Sequence, residues 1–147
     1  MLSKCLLLMS VILSLVGCAQ EGTDAEKLQG TWTVESAEKH GKKRPAEKLK
    51  DIRAVIEGDS FKLKMGDQEG ESATIKLDPW KTPKTIDLQP TTPTKTERRP
   101  CLGIYELKGD TLKLCWRKEG GERPTEFAAK ADDRHSVLML LKREKKD

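Results

Sequence analysis

The chain has 147 residues, of which 28 are basic and 24 are acidic, so it carries a formal charge of +4 at neutral pH. Hydrophobic residues make up 35% of the chain, which is enough for one domain with one core and too little for a protein that crosses a membrane repeatedly. The basic excess is small and spread over lysine-rich runs that are typical of solvated surface, so nucleic acid is not expected as a partner.

The first 17 residues have the pattern of a secretory signal, because a lone positive residue, Lys4, precedes an apolar segment. About 12 apolar residues at ~1.5 Å each cover only ~18 Å of a hydrocarbon core ~30 Å thick, which excludes a transmembrane helix. Leu15-Val16-Gly17-Cys18 resembles the lipobox of bacterial lipoproteins, and the resemblance implies that Cys18 is lipidated and becomes the mature N-terminus. The alternative is an ordinary cleaved signal with an incidental cysteine.

We therefore predict a signal peptide at 1–17, a tether at 18–24 and one domain at 25–147. The protein is expected in the cell envelope, held to a membrane by the lipid on Cys18 and facing the periplasm or the exterior. Two or three acyl chains suffice for stable anchoring.

The domain begins with a predicted helical turn over 25–29 that Gly30 ends, and the apolar residues then alternate with polar ones. This period of two indicates half-buried β-strands. The first strand contains Trp32 and Val34, and the others cover 52–57, 61–65, 73–77, 85–88, 102–107, 111–117 and 135–143. A second helical turn is expected at 126–130.

Gly58-Asp59 and Gly109-Asp110 each separate two alternating segments, which is the pattern of a tight hairpin turn. About eight antiparallel strands without a long helix are typical of a sandwich or a barrel, and the sequential hairpins favour the barrel. The predicted fold class is therefore all-β, an antiparallel up-and-down β-barrel of about eight strands.

Two cysteines remain in the predicted domain, Cys101 and Cys115, and an exported protein can form disulfides. The hairpin around Gly109 puts Cys115 opposite Gly103 or Ile104, so Cys101 lies at least a diagonal away, ~7 Å or more. We expect two separate thiols; a bridge would require Cys101 to belong to a flexible loop.

Gly30-Thr31-Trp32 at the start of the first strand resembles the G-x-W motif of the lipocalins. That resemblance implies that Trp32 closes one end of the barrel and that a basic residue near the last strand, Arg143, lies over its indole. Both roles are structural.

A longer series of motifs is similar to an uncharacterised lipocalin-like domain family of planctomycete bacteria. The series comprises Leu28-Gln29-Gly30-Thr31-Trp32, Gly41-Lys42, Leu77-Asp78-Pro79, Pro83-Lys84-Thr85-Ile86-Asp87-Leu88, Gly103-Ile104-Tyr105-Glu106-Leu107, Gly109-Asp110-Thr111-Leu112-Lys113-Leu114-Cys115 and Arg123-Pro124-Thr125-Glu126-Phe127. The resemblance implies a lipocalin-like fold and brings no established activity.

Four polar residues of these motifs, Asp78, Asp87, Arg123 and Glu126, are the candidates for chemistry. Two carboxylates beside an arginine could serve acid/base catalysis, whereas the structural interpretation places the aspartates at turns and strand ends and pairs Arg123 with Glu126. No cofactor motif is present, and the two histidines lack the spacing of a metal site. In a loop between prolines, Trp80 is the expected exposed aromatic contact.

The sequence thus predicts a binding protein for a small apolar ligand and no enzyme, cofactor or metal. The ligand would lie in a lumen of several hundred Å3, lined by Val34, Ile56, Leu63, Ile75, Leu88, Leu114 and Met139. The alternative is a filled barrel that serves as an interaction or structural module for an envelope protein. A third and less favoured reading is an enzyme that uses Asp78, Arg123 and Glu126.

Overall fold

A computed structural model describes residues 22–93, 96–118 and 121–145, and these residues form one short helix and nine strands. The predicted leader at 1–17, Cys18 and the first part of the tether lie outside the described residues. The elements are α1 (Asp24–Lys27), β1 (Gly30–Lys39), β2 (Lys42–Lys43), β3 (Ile52–Glu57), β4 (Ser60–Met65), β5 (Gln68–Asp78), β6 (Lys84–Pro90), β7 (Cys101–Lys108), β8 (Thr111–Arg117) and β9 (Ser136–Arg143), with a 3-10 turn at Ala46–Lys48.

Eight of the strands form a closed antiparallel barrel, in the order β1, β3, β4, β5, β6, β7, β8 and β9. Pairing of β9 with β1 completes the ring, and the two-residue strand β2 pairs with the last residues of β1 outside it. The predicted all-β up-and-down barrel is confirmed. The sequence did not indicate β2, because two lysines carry no alternation.

The predicted hairpins are present with the expected turn chemistry. Gly58 and Gly109 both have positive φ, which a side chain would disfavour at a tight turn. In the β7–β8 hairpin Cys115 lies opposite Ile104, one of the two predicted registers. Cys101 and Cys115 form no disulfide, as expected from that register.

The core fills the inside of the barrel with the inward residue of each alternating pair. Six of the seven residues predicted to line the lumen are buried, and Leu63 is partly buried against them. Tyr105, Ile86 and Leu112 from neighbouring strands complete the packing and are at most 2% exposed. The predicted alternation thus identified the inner face correctly.

Helix α1 lies across one end of the barrel, which we call the α1 end. Thr23 and Glu26 form a reciprocal capping box that fixes the start of the helix. Leu28, just beyond the helix, is fully buried, and its carbonyl oxygen accepts a hydrogen bond of 2.9 Å from Trp32 Nε1. The chain then enters β1 through Gly30 at a φ of 121°, a conformation that favours glycine.

Residues 121–135, which we call the strap, run over the outer face of β7 and β8. Ile104 and Cys115 point outward from the barrel but are only 1% and 0% exposed, because the strap covers them. The Cys115 thiol donates to the Ala128 carbonyl oxygen at 3.6 Å. The predicted helical turn at 126–130 is wrong: these residues form no helix, and the Ala128 carbonyl oxygen faces the barrel instead.

Candidate binding groove

An open groove on the outside of the barrel gathers most of the polar residues that the sequence singled out. It has a volume of about 550 Å3 and lies along β5 and β6, beside the strap. Its polar lining consists of Lys76, Asp78, Lys81, Thr82, Thr85, Asp87, Arg123 and Thr125. We call this the outer groove.

Arg123 clamps the strap to the barrel at the floor of the outer groove. Its Nη1 donates to the Gly103 carbonyl oxygen at 2.7 Å and lies 3.4 Å from that of Ile86. Its Nη2 is 2.7 Å from Asp87 Oδ1. The carboxylate oxygen accepts no aligned hydrogen bond within the described ranges, so this attraction is Coulombic. The guanidinium is therefore engaged on three sides.

The predicted pairing of Arg123 with Glu126 is wrong. Because the strap is not helical there, Glu126 points away from the groove and pairs with Lys130 at 2.7 Å on the surface. The hydrogen bond from Lys130 holds the pKa of the Glu126 carboxyl below its usual value. Of the three residues in the enzyme interpretation, Asp78 and Arg123 line the outer groove and Glu126 does not.

Asp78 has the turn role that the structural interpretation gave it, whereas that interpretation is wrong for Asp87, which lies in the middle of β6 and not at a turn or strand end. Its Oδ1 accepts a hydrogen bond of 3.1 Å from the Trp80 backbone N–H, which fixes the entry to the β5–β6 loop. The Trp80 side chain is 90% exposed, as predicted. A second surface groove of about 390 Å3 lies beside it, between this loop, Leu107 and Phe127.

The inside of the barrel offers much less space than the outside. A hollow of about 50 Å3 lies at the end opposite α1, between Phe61, Leu88, Cys101 and Trp116. Ligand pockets usually measure about 300–1,000 Å3. In the described part of the chain the lumen is therefore filled by side chains.

The Arg143 guanidinium lies over the Trp32 ring, 4.3 Å from its centroid, in the pairing that the lipocalin resemblance implied. Nη1 donates to the Gln29 carbonyl oxygen at 2.7 Å, and Nη2 donates to that of Lys27. Arg143 thus joins the last strand, the indole and the carboxyl end of α1. Its role here is structural.

A partly buried network that sequence reasoning missed ties α1 to β6 and β7. Asp24 Oδ2 accepts hydrogen bonds from Lys84 Nζ at 2.8 Å and from the Tyr105 hydroxyl at 2.6 Å. Burial alone would raise the pKa of the Asp24 carboxyl, but the two donors and the charges of Lys84 and Lys27 outweigh it and leave the pKa lowered. Burial, followed by the bond to Asp24, raises the pKa of the Tyr105 phenol. The sequence analysis had placed Asp24 in the tether at 18–24, just before the predicted helical turn, whereas the structure has it as the first residue of α1.

A second network holds the end of the strap. Asp133 accepts from the Ser136 hydroxyl and from the His135 backbone N–H, and its Oδ2 is 2.5 Å from Arg117 Nη2. The Ser136 bond, the His135 bond and the Arg117 contact together lower the pKa of Asp133 to about 2. This arrangement fixes where β9 begins.

Neither metal-binding nor membrane-spanning features occur in the part of the chain that the structure describes. No three His, Cys, Asp or Glu side chains come close enough there to hold a metal ion. The same residues contain no helix of the length and apolar character that crossing a membrane requires.

Comparison with known proteins adds no relative to these observations. No protein-family model, curated protein or solved structure matches the chain.

Proposed function

We propose that this chain is a lipid-tethered β-barrel of the cell envelope that binds a partner protein on its outer surface. The observation that carries the proposal is the filled interior, where about 50 Å3 is open against about 550 Å3 in the outer groove. This favours the interaction module with a filled barrel over the ligand carrier, two of the three functions considered from the sequence. The lipid on Cys18 enters the proposal as a prediction from the sequence.

The outer groove has the properties of a surface that recognises a polar protein segment. Lys76 and Lys81 are exposed at its edge, and the hydroxyls of Thr85 and Thr125 offer hydrogen bonds. The Arg123 clamp holds its two walls together, so binding would require little ordering of the barrel itself.

Catalysis at the groove has less support. Arg123 is engaged by two carbonyl oxygens and Asp87, and Asp78 holds a turn. A catalytic acid and base need to lie within hydrogen-bond distance of one substrate, and Glu126 points elsewhere. We therefore favour binding without turnover.

Two experiments test the proposal. Native mass spectrometry of the domain purified from its host should show the bare polypeptide mass, because the interior is filled. A small apolar molecule bound with one-to-one stoichiometry would contradict a filled barrel and favour the carrier.

Photocrosslinking in the host tests the groove. A photoreactive side chain at Thr125 should capture a defined protein, whereas one at Glu35 should not, because Glu35 is exposed on β1, four strands around the ring from β6. The substitution Lys76→Glu should abolish the Thr125 adduct. The matched change Lys142→Glu on β9 should preserve it. Equal capture from Thr125 and Glu35, or an adduct that survives Lys76→Glu, would refute recognition by the groove.

A further inference from the structure

The loop between β5 and β6 combines an exposed tryptophan with a fixed backbone. Pro79 and Pro83 restrict φ on both sides of Trp80, and the Trp80 N–H is bound to Asp78. The backbone of this loop therefore holds the Trp80 side chain, which is 90% exposed, in the solvent. Such a side chain is suited to contact something outside the barrel.

The start of the described chain lies at the same corner of the barrel. Asp24 is bonded to Lys84, the first residue after this loop, and to Tyr105. Six Cα–Cα steps of at most ~3.6 Å separate Asp24 from Cys18, so a lipid on Cys18 would hold this corner within ~22 Å of the bilayer surface. The tether therefore limits how far this corner can move from the membrane.

From these two observations we infer that the α1 end of the barrel rests on the membrane and that Trp80 inserts into its interface. This inference rests on the lipid anchor of the proposed function. Tryptophan suits this position because its ring is apolar and its N–H can meet the polar headgroups.

The charges at this corner indicate how the contact is made. Over α1, the β5–β6 loop at 78–84 and the β7–β8 turn at 105–110, four cations lie among five carboxylates, namely Lys27, Lys81, Lys84 and Lys108 against Asp24, Glu26, Asp78, Glu106 and Asp110. Lys84 is paired with Asp24 and Lys108 with Glu106, at 2.8 and 3.4 Å. The corner therefore has no excess of positive charge to attract anionic lipid, and Trp80 makes an interfacial contact that depends neither on salt nor on the headgroup charge.

The chain offers a matched control position at the opposite end. Met65 is 59% exposed, and it lies at the β4–β5 turn beside the first residue of β5. Ten residue steps along β5 separate this turn from Asp78, a distance of ~33 Å. A tryptophan at Met65 should face away from the membrane if the inference is correct.

The test uses the full chain purified from membranes and reconstituted into phosphatidylcholine vesicles whose acyl chains are brominated, because bromine quenches tryptophan fluorescence at short range. We expect a loss of fluorescence that disappears with Trp80→Phe. The double variant Trp80→Phe with Met65→Trp should show no loss in brominated vesicles but should be quenched by acrylamide in the water phase. The loss with Trp80 should be the same at low and high salt and when phosphatidylglycerol is added.

Vesicle flotation separates failure of the anchor from failure of the inference. A chain that floats while Trp80 is quenched by acrylamide and not by bromine overturns the inference and leaves the anchor intact. Equal bromine quenching at Trp80 and at Met65→Trp also overturns it, because no particular end would then face the bilayer. A chain that does not float overturns the anchor and the inference together.

Discussion

Replacing Arg143 should destabilise the barrel more than replacing any surface arginine. The guanidinium contributes about 1 kcal/mol from its stack on Trp32. Its hydrogen bonds to the carbonyl oxygens of Lys27 and Gln29 add about 1 kcal/mol each. The ion pair with Asp110, at 3.2 Å, adds little because that carboxylate is 63% exposed. Arg143→Ala should therefore lower the free energy of unfolding by about 3 kcal/mol.

The variant Arg143→Lys separates the contribution of the positive charge to stability from that of the planar guanidinium group. A lysine keeps a positive charge near the carboxyl end of α1 and can reach one carbonyl oxygen, but it loses the planar stack and the second bond. We expect about half of the loss seen with alanine. Arg99→Ala is the control, because Arg99 is exposed, and its effect should stay within about 0.5 kcal/mol.

Urea unfolding of residues 22–147, followed by tryptophan fluorescence, measures these differences. With an m-value of about 1.5 kcal/mol per M, Arg143→Ala should move the midpoint down by about 2 M. If the variant Arg143→Lys had the same urea midpoint as the parent, the argument that the planar guanidinium group stabilises the barrel would be refuted. If Arg143→Ala matched Arg99→Ala, the guanidinium would not hold α1 to the barrel at all.

Three further predictions concern groups with altered pKa values. Because the pKa of Tyr105 is raised, its contribution to stability should be complete below about pH 10 and lost above it, so the deficit of Tyr105→Phe in urea unfolding should shrink in alkali. Because the pKa of Asp133 is lowered from 3.8 to about 2, its contribution is present above pH 3.8 and is lost as the pH falls toward 2; a stability gap to Asp133→Asn that stayed constant through this range would contradict the ion network. Burial beneath the strap raises the pKa of the Cys115 thiol, so this thiol should react slowly with maleimide in the variant Cys101→Ser, and urea should accelerate the reaction. Intact-mass analysis measures the labelling, and labelling at the rate of an exposed thiol would be inconsistent with a closed strap.

The barrel could be predicted because the alternation of apolar and polar residues along each strand shows which side chains face the core. In β3, for example, Ile52, Ala54 and Ile56 are buried, and this alternation can be read from residues that are only two apart in the sequence. A tight turn then limits the choice of partner, so Gly109 restricted the residue opposite Cys115 to Gly103 or Ile104, and the structure has Ile104 there. Both signals are local.

The site was less predictable because its contacts join distant parts of the chain. Asp24 meets Lys84 and Tyr105 across 60 and 81 residues, and no sequence period encodes such a meeting. The wrong prediction of a helical turn at 126–130 has a related cause, because the Ala128 carbonyl oxygen accepts a hydrogen bond from the Cys115 thiol of the barrel wall. Arg143 was identified only through a family resemblance, since neither spacing nor charge singled it out.

The last strand of the ring is hydrogen-bonded on both sides, to β8 and to β1, and reaches its place by way of the strap on the outer surface. A cut within the strap would leave β9 bound by hydrogen bonds to its two neighbours, by Arg143 and by the ion pair of Glu144 with Arg53. The molecule would then consist of a barrel fragment that lacks β9 and a separate peptide that contains β9 and completes the barrel. Such a split pair would make reassembly of this protein measurable as the binding of two fragments.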